Sequence, residues 1–191
     1  MKTNLATVSI ALLSVAAVLT GCITTSIYPF YSDKDVVSEP GLDGQWTKVD
    51  EAKEQWKFVA KGNGYQLTFT DGEKTNRVAV HCFRVGGELF LDLFNPEPTC
   101  DVMPPPVPSH LLLRVFGVTP TLRMSSMNYD WLEKLLQKQP EAIQHLMIKS
   151  PDDAADQQVI LTARTPELQR FILHHLKTDE AWKDVFELKH N

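Results

Sequence analysis

The 191-residue sequence is short of positive charge and of the motifs that reactive sites use. It has 19 lysines and arginines against 24 acidic residues, with a net charge of -5. The basic residues form no stripe, which argues against nucleic acid as a partner. Gly-x-Ser-x-Gly, phosphate-binding glycine loops and zinc-protease helix motifs are missing. After residue 22 no apolar run approaches the ~20 residues that span a bilayer, so the sequence offers no obvious catalytic, cofactor or membrane-spanning segment.

The N-terminus carries the one long apolar run. Lys2 makes a short positive start, and residues 5–19 contain no charge, which is typical of a secretory signal peptide. Small residues then lead to Cys22. The stretch Leu19-Thr20-Gly21-Cys22 resembles the lipobox of bacterial lipoproteins. This resemblance implies that residues 1–21 are a cleaved signal peptide and that Cys22 becomes the acylated first residue of the mature chain.

An acylated Cys22 predicts where the protein is located. A diacylglyceryl group on its sulfur supplies the two acyl chains that stable anchoring to a lipid bilayer requires. Ile23 follows, where an aspartate would favour retention in the inner membrane, so we expect an outer-membrane anchor facing the periplasm in a Gram-negative host. We expect residues 22–41 to form the lipidated cysteine and a polar, proline-broken tether. This segment also contains four apolar or aromatic side chains that can either dock on the domain or contact lipid headgroups, and the sequence leaves both alternatives open: Ile27, Tyr28, Phe30 and Tyr31.

Two cysteines remain in the mature chain, Cys82 and Cys100. An even number of cysteines in an exported domain, which meets an oxidising compartment, favours a disulfide. The alternative is two unpaired thiols, one of them buried in a strand.

Residues 42–191 form one domain in which strands dominate. Five short segments between Gly44 and Phe94 are rich in valine, phenylalanine, threonine and tryptophan, and tight-turn signals separate them. This pattern is typical of an antiparallel meander. Three further strands are predicted at 110–118, 119–127 and 156–164, and helices at 129–139, 140–147 and from Thr165. The fold class is therefore mainly β (α+β): a barrel or half-barrel of about eight strands, with helices inserted before the last strand and at the C-terminus.

Gly86-Gly87 predicts the register of one hairpin. A two-residue loop pairs the residues on either side of it, which places Cys82 opposite Leu91 and His81 opposite Asp92. Both faces of this hairpin carry apolar residues. We therefore expect cover on both sides, from a helix outside and from a ligand or a core inside.

Gly44-Gln45-Trp46, at the first strand of the meander, partly matches the Gly-x-Trp signature of lipocalins. Together with the order of tether, strands and helix over residues 42–165, it resembles small lipocalin-like barrel lipoproteins of bacterial envelopes. The resemblance implies a barrel whose interior holds a ligand.

The histidines give one candidate polar pair and no predicted metal site. His81 and Asp92 face each other in the predicted register, and such a dyad can orient a general base. The simpler alternative is a cross-strand ion pair worth up to ~1 kcal/mol, which we favour because no nucleophile is attached. His174 and His175 are adjacent and point about 100° apart on a helix, so they do not share an ion easily. We expect His175 at the core edge and His174 in solvent, and we predict no catalytic residue and no cofactor.

The sequence thus predicts a non-enzymatic, membrane-anchored envelope lipoprotein that binds a small apolar or amphipathic ligand in a β-barrel. The alternative is a lipid-tethered module that interacts with, assembles or inhibits another envelope protein. Its partners are the lipid bilayer, through Cys22, and either that ligand or an envelope protein.

Cys22→Ala tests the anchor. The substitution removes the sulfur that accepts the diacylglyceryl group, so we expect the variant to incorporate no labelled palmitate and to keep its signal peptide. Wild type should begin at Cys22 and carry the mass of its acyl chains, measured on intact protein extracted from membranes. Cys82→Ala is the matched control and should stay acylated. An unmodified, uncleaved N-terminus on wild type would contradict the prediction.

Overall fold

The structure is a computed structural model that describes residues 24–72, 74–94, 109–149 and 157–191. Strands and short 3-10 turns alternate along the first half, and two α-helices lie late in the chain. The strands are β1 (Thr25–Ser26), β2 (Gly44–Lys48), β3 (Glu54–Lys61), β4 (Gly64–Asp71), β5 (Lys74–Val85), β6 (Glu88–Phe94), β7 (His110–Gly117), β8 (Thr121–Ser126), β9 (His145–Lys149), β10 (Gln157–Leu161) and β11 (Phe186–His190). The helices are α1 (Tyr129–Lys138) and α2 (Thr165–His175), and the 3-10 turns are Asp33–Asp35, Pro40–Leu42, Pro140–Ala142 and Asp179–Trp182.

Eight strands close into an antiparallel barrel in the order β2-β3-β4-β5-β6-β7-β8-β11, and β11 pairs back to β2. The predicted mainly β barrel with late helices is confirmed. Three strands lie outside the ring. β1 pairs with the start of β7, β10 runs parallel to β1, and β9 pairs antiparallel with β10.

Two predicted elements are corrected. The strand that closes the barrel is β11, while the segment predicted as the eighth strand, 156–164, supplies β10 outside the ring. The helix predicted over 140–147 is limited to the turn Pro140–Ala142, and β9 follows it. Strand geometry prevails there because Met147 packs on a core while its neighbours Leu146 and Ile148 face outward, an alternation of period two.

The register predicted from Gly86-Gly87 is confirmed. Both glycines have positive φ, 62° and 85°, as a type I′ hairpin turn requires. Cys82 lies opposite Leu91, and His81 lies opposite Asp92. The predicted cover on both faces is also observed, as two separate hydrophobic cores.

The first core fills the inside of the barrel. Every one of the eight barrel strands contributes at least one buried side chain to it, and a leucine from the turn before β2 joins them. Trp46 lies here, where its indole N–H donates to Leu42 O at 2.9 Å. The buried members are Leu42, Trp46, Trp56, Phe58, Tyr65, Leu67, Val80, Cys82, Leu89, Leu91, Leu93, Leu113, Val115, Leu122, Met124 and Leu188.

The second core covers the outer face of β5, β6 and β7. Helices α1 and α2, strand β10 and the chain near Trp182 form its outer layer. Its buried members are Phe30, Phe83, Val85, Phe90, Leu112, Met127, Leu132, Leu136, Ile143, Val159, Leu161, Ala163, Leu168, Phe171, Ile172, Ala181 and Trp182.

The segment expected to be a tether is docked on the barrel from Thr24 onward. Phe30 is buried in the outer core, Val36 forms a β-bridge with Phe83, and Val37 N–H donates to Cys82 O. Of the two alternatives left open for the aromatic residues of this segment, the structure shows docking, because its aromatic and aliphatic side chains cover apolar surface on β5 and β6. We call residues 24–37 the docked segment.

Helix α2 contacts the docked segment through two side-chain hydrogen bonds. Thr165, the first residue of this helix, uses its Oγ1 to donate to Pro29 O at 2.7 Å, and Gln169 Nε2 donates to Phe30 O at 3.1 Å. The cap of α1 is Asn128, whose Oδ1 accepts the Trp131 N–H at 2.8 Å. In the described ranges, neither helix has the length and hydrophobicity needed to cross a membrane.

Leu91→Ala tests the filled barrel. The substitution leaves a cavity among buried side chains, so we expect the free energy of unfolding to fall by about 2–5 kcal/mol, measured by urea denaturation. Val59→Ala, at an exposed position of β3, is the control and should change it by less than about 0.5 kcal/mol. Equal, small effects from both substitutions would argue against a packed interior.

Candidate functional site

A buried carboxylate lies on the outer face of β6, beneath the docked segment. Asp92 is completely buried. Its Oδ2 accepts the backbone N–H of Phe30 at 2.9 Å, and its Oδ1 lies 2.6 Å from Nδ1 of His110 on β7. Both carboxylate oxygens therefore have partners, as a buried charge requires.

His81 lies opposite Asp92 but bonds to a different residue. Its Nδ1 is 2.9 Å from the Oη of Tyr31 in the docked segment. Burial, with the nearby charges of Asp92 and Asp33, raises the pKa of Tyr31 to about 12, so its hydroxyl stays protonated at neutral pH. Burial also lowers the pKa of His81, although the Asp92 charge acts in the opposite direction, which favours the neutral ring. The tautomer of this ring decides which of the two groups donates the hydrogen bond.

The register of the predicted His81–Asp92 pair is thus correct, but each partner makes its hydrogen bond elsewhere. We call Tyr31, His81, Asp92 and His110 the aspartate–histidine cluster. Sequence reasoning missed two of its members. His110 lies two residues from the position opposite Asp92 in the β6–β7 ladder, within reach of a long side chain. For Tyr31, the sequence did carry a signal, because this residue belongs to the group of aromatic side chains that can dock on the domain.

The cluster joins the docked segment to the barrel. Ser26 pairs with His110 in the β1–β7 ladder, but it is completely buried and its Oγ accepts the Tyr28 N–H at 3.2 Å. Among the described residues, neither His81 nor His110 hydrogen-bonds to a serine or cysteine side chain. The geometry therefore supports a role of the cluster in holding the docked segment.

The thiol of Cys82 faces the barrel interior and is completely buried as a free cysteine. Burial, with the nearby charge of Glu39, raises the pKa of Cys82 to about 12, so the thiol stays protonated and unreactive at neutral pH. Cys100, its predicted disulfide partner, and the lipidation site Cys22 lie outside the described residues, and both assignments stay predictions.

A cleft of about 570 Å³ opens on the outer layer, between the turn Pro140–Ala142 and helix α2. Ile143, Ala163 and Phe171, all buried in the outer core, form its apolar wall. Half-buried Ala142 also lines the cleft, and charged and polar side chains form the rest: Gln139, Glu141, Gln144, Glu167, Arg170, His174 and His175. The volume falls in the range of about 300–1,000 Å³ that small-molecule sites occupy.

Two histidines of α2 line this cleft, in the positions expected from the sequence. His175 lies at the core edge, with its ring 4.9 Å from that of Trp131 and 4.6 Å from that of Phe171. Burial, reinforced by neighbouring His174, lowers the pKa of His175, so its ring is neutral at physiological pH. His174 is exposed. Within the described ranges, no group of three or more histidine, cysteine, aspartate and glutamate side chains is placed to hold a metal ion.

The cleft and the barrel interior thus differ in what they offer a ligand. The barrel interior is occupied by the side chains of its own strands, whereas the cleft presents an apolar wall beside polar groups. Comparisons with protein-family models, with curated proteins and with solved structures find no match for this chain. The functional interpretation therefore depends on the geometry of its own residues.

Asp92→Asn tests the aspartate–histidine cluster. The amide keeps the shape of the side chain but loses its charge and turns one acceptor oxygen into a donor, so the His110 ring must change its tautomer or lose its hydrogen bond. We expect the free energy of unfolding to fall by about 1–3 kcal/mol. Urea denaturation measures this loss, and limited proteolysis should cut the docked segment faster. Glu187→Gln breaks the exposed ion pair with Arg123 and is the control, with an expected effect of less than about 1 kcal/mol. Unchanged proteolysis in Asp92→Asn would contradict the holding role.

Proposed function

We propose that this chain is a non-enzymatic lipoprotein of the cell envelope that binds a small amphipathic ligand in the cleft beside α2. In this proposal, acylated Cys22 anchors it to the outer membrane, with the domain in the periplasm. The observation that carries the proposal is the combination of a filled barrel with a cleft of about 570 Å³ on its outer layer.

The filled barrel is the reason for placing the ligand outside it. A ligand inside would have to displace side chains such as Trp46 and Phe58, which are almost completely buried. Exposing one large apolar side chain costs about 1.5–3 kcal/mol, and several would have to move. A ligand in the cleft displaces only water.

The cleft suits a molecule with an apolar part and a polar end. Phe171 and Ile143 offer apolar contact on one side. Arg170 projects from α2 with three quarters of its side chain exposed, so its remaining donors are available to a ligand's polar end. Glu141 and Glu167 share the lining, and the polar end is therefore recognised by directed hydrogen bonds more than by net charge.

A protein partner is the second candidate. The lining includes the exposed residues Gln139, Glu141 and Gln144, so one side of the cleft is accessible to a side chain or loop of another envelope protein. A rigid barrel with a filled interior is also a suitable scaffold for such contacts.

Ala142→Trp tests the cleft. Ala142 lines it and is half-buried, so an indole there should occupy the space of the ligand. We expect native mass spectrometry of the gently extracted lipoprotein to show a small bound mass on wild type and its loss in the variant.

Ala60→Trp, at an exposed position of β3, is the matched control and should keep the bound mass. Wild type without a bound mass, or an Ala142→Trp variant that retains it, would argue against this site. A specific protein crosslinked in cells to a photoreactive residue at Gln144 would instead favour the second candidate.

A further inference from the structure

The edge strand β9 exposes two large apolar side chains. Leu146 is 56% exposed and Ile148 is 46% exposed, and they lie on one face of the strand because they are two residues apart. Met147, between them, points the other way and packs on the outer core. Among the described strands, β9 is the last on this side of the sheet.

This apolar face is directly connected to the start of the docked segment. Leu146 pairs with Ile160 on β10, and Ile160 pairs with Thr25 on β1. Neighbouring strands are about 4.8 Å apart, so the backbones of Leu146 and Thr25 are separated by about 10 Å.

The acylated cysteine is close to the same place. Cys22 precedes Thr25 by three residues, and three residues span at most about 11 Å even when fully extended. The backbone of Cys22 therefore lies at most about 21 Å from that of Leu146, within reach of one face of the same membrane surface.

Hydrogen bonds fix the docked segment on the domain, so the distance between Thr25 and β9 does not change as the domain moves. Phe30 N–H donates to Asp92, and Tyr31 Oη is bonded to His81. Thr165, at the start of α2, donates its Oγ1–H to Pro29 O. A long free tether would let the domain turn in any direction away from the membrane. A chain fixed from Thr24 onward restricts the domain to orientations in which β9 stays near the bilayer.

From this we propose that Leu146 and Ile148 form a membrane-contacting edge that rests in the interfacial region of the lipid bilayer beside the acyl anchor. The proposal rests on the proposed acylation of Cys22. Apolar side chains are stabilised on leaving water, so this edge adds to the anchoring by the acyl chains and sets the orientation of the domain. Lipid is the occupant that the geometry favours over a protein partner, because the anchor brings the bilayer to this edge.

The test places a photoreactive residue on the edge of the full-length lipoprotein in its own membrane. Ile148→p-benzoylphenylalanine and Leu146→p-benzoylphenylalanine are compared with Val59→p-benzoylphenylalanine. Val59 is 47% exposed, which matches Ile148, and its strand β3 is four strands away from β7 in either direction around the ring. After irradiation, mass spectrometry counts lipid adducts at each position, and the intact mass of the same sample reports acylation of Cys22.

We expect lipid adducts at 146 and 148 several-fold above those at 59, on chains that carry acyl groups. Acylated protein with equal lipid yields at all three positions would overturn the membrane-contacting edge and leave the anchor standing. Protein adducts at 148 in place of lipid would also overturn it. Chains without acyl groups would refute the anchor itself, and the two failures are therefore distinguishable.

Discussion

The β5–β6 hairpin is apolar on both faces, and the rest of the fold depends on this constraint. Cys82 and Leu91 lie on one face, Phe83 and Phe90 on the other, and all four are completely buried. Since burying one large apolar side chain contributes about 1.5–3 kcal/mol, neither face can remain in water without a large loss. The chain meets this demand twice: the ring of strands closes over the first face, and α1, α2 and the docked segment cover the second.

Covering the second face of the hairpin also buries a carboxylate, Asp92. The same alternation that puts Phe90 on the outer side also puts Asp92 there, under the docked segment. A buried carboxylate is costly without partners, and His110 and the Phe30 amide supply them. The docked segment is thereby held by specific hydrogen bonds as well as by apolar contact, so its position on the barrel is fixed from Thr24 onward.

Turn residues in the sequence predicted how strands joined by a short turn pair with each other. The pairing of strands that are far apart in the sequence could not be derived in this way. Gly86-Gly87 determines the β5–β6 register because a two-residue turn leaves no freedom in it. The closing strand was misassigned because 156–164 and 186–190 have equally short strand-like patterns, and only contact with β2 and β8 distinguishes them. His110 was missed as the partner of Asp92 for the same reason: β6 and β7 are joined by a long segment, so their register is not encoded in a turn.

The topology also explains why the candidate sites lie where they do. Strands β8 and β11 are neighbours in the barrel although the whole of residues 127–185 separates them in the sequence. That insertion forms most of the outer layer, including the cleft beside α2 and the exposed edge of β9. The ring is closed by β11 and filled by side chains of its own strands, so the barrel interior excludes water largely without the insertion. Segments positioned by a rigid scaffold are the usual carriers of binding residues, and in this chain both the candidate cleft and the exposed edge of β9 lie on the insertion.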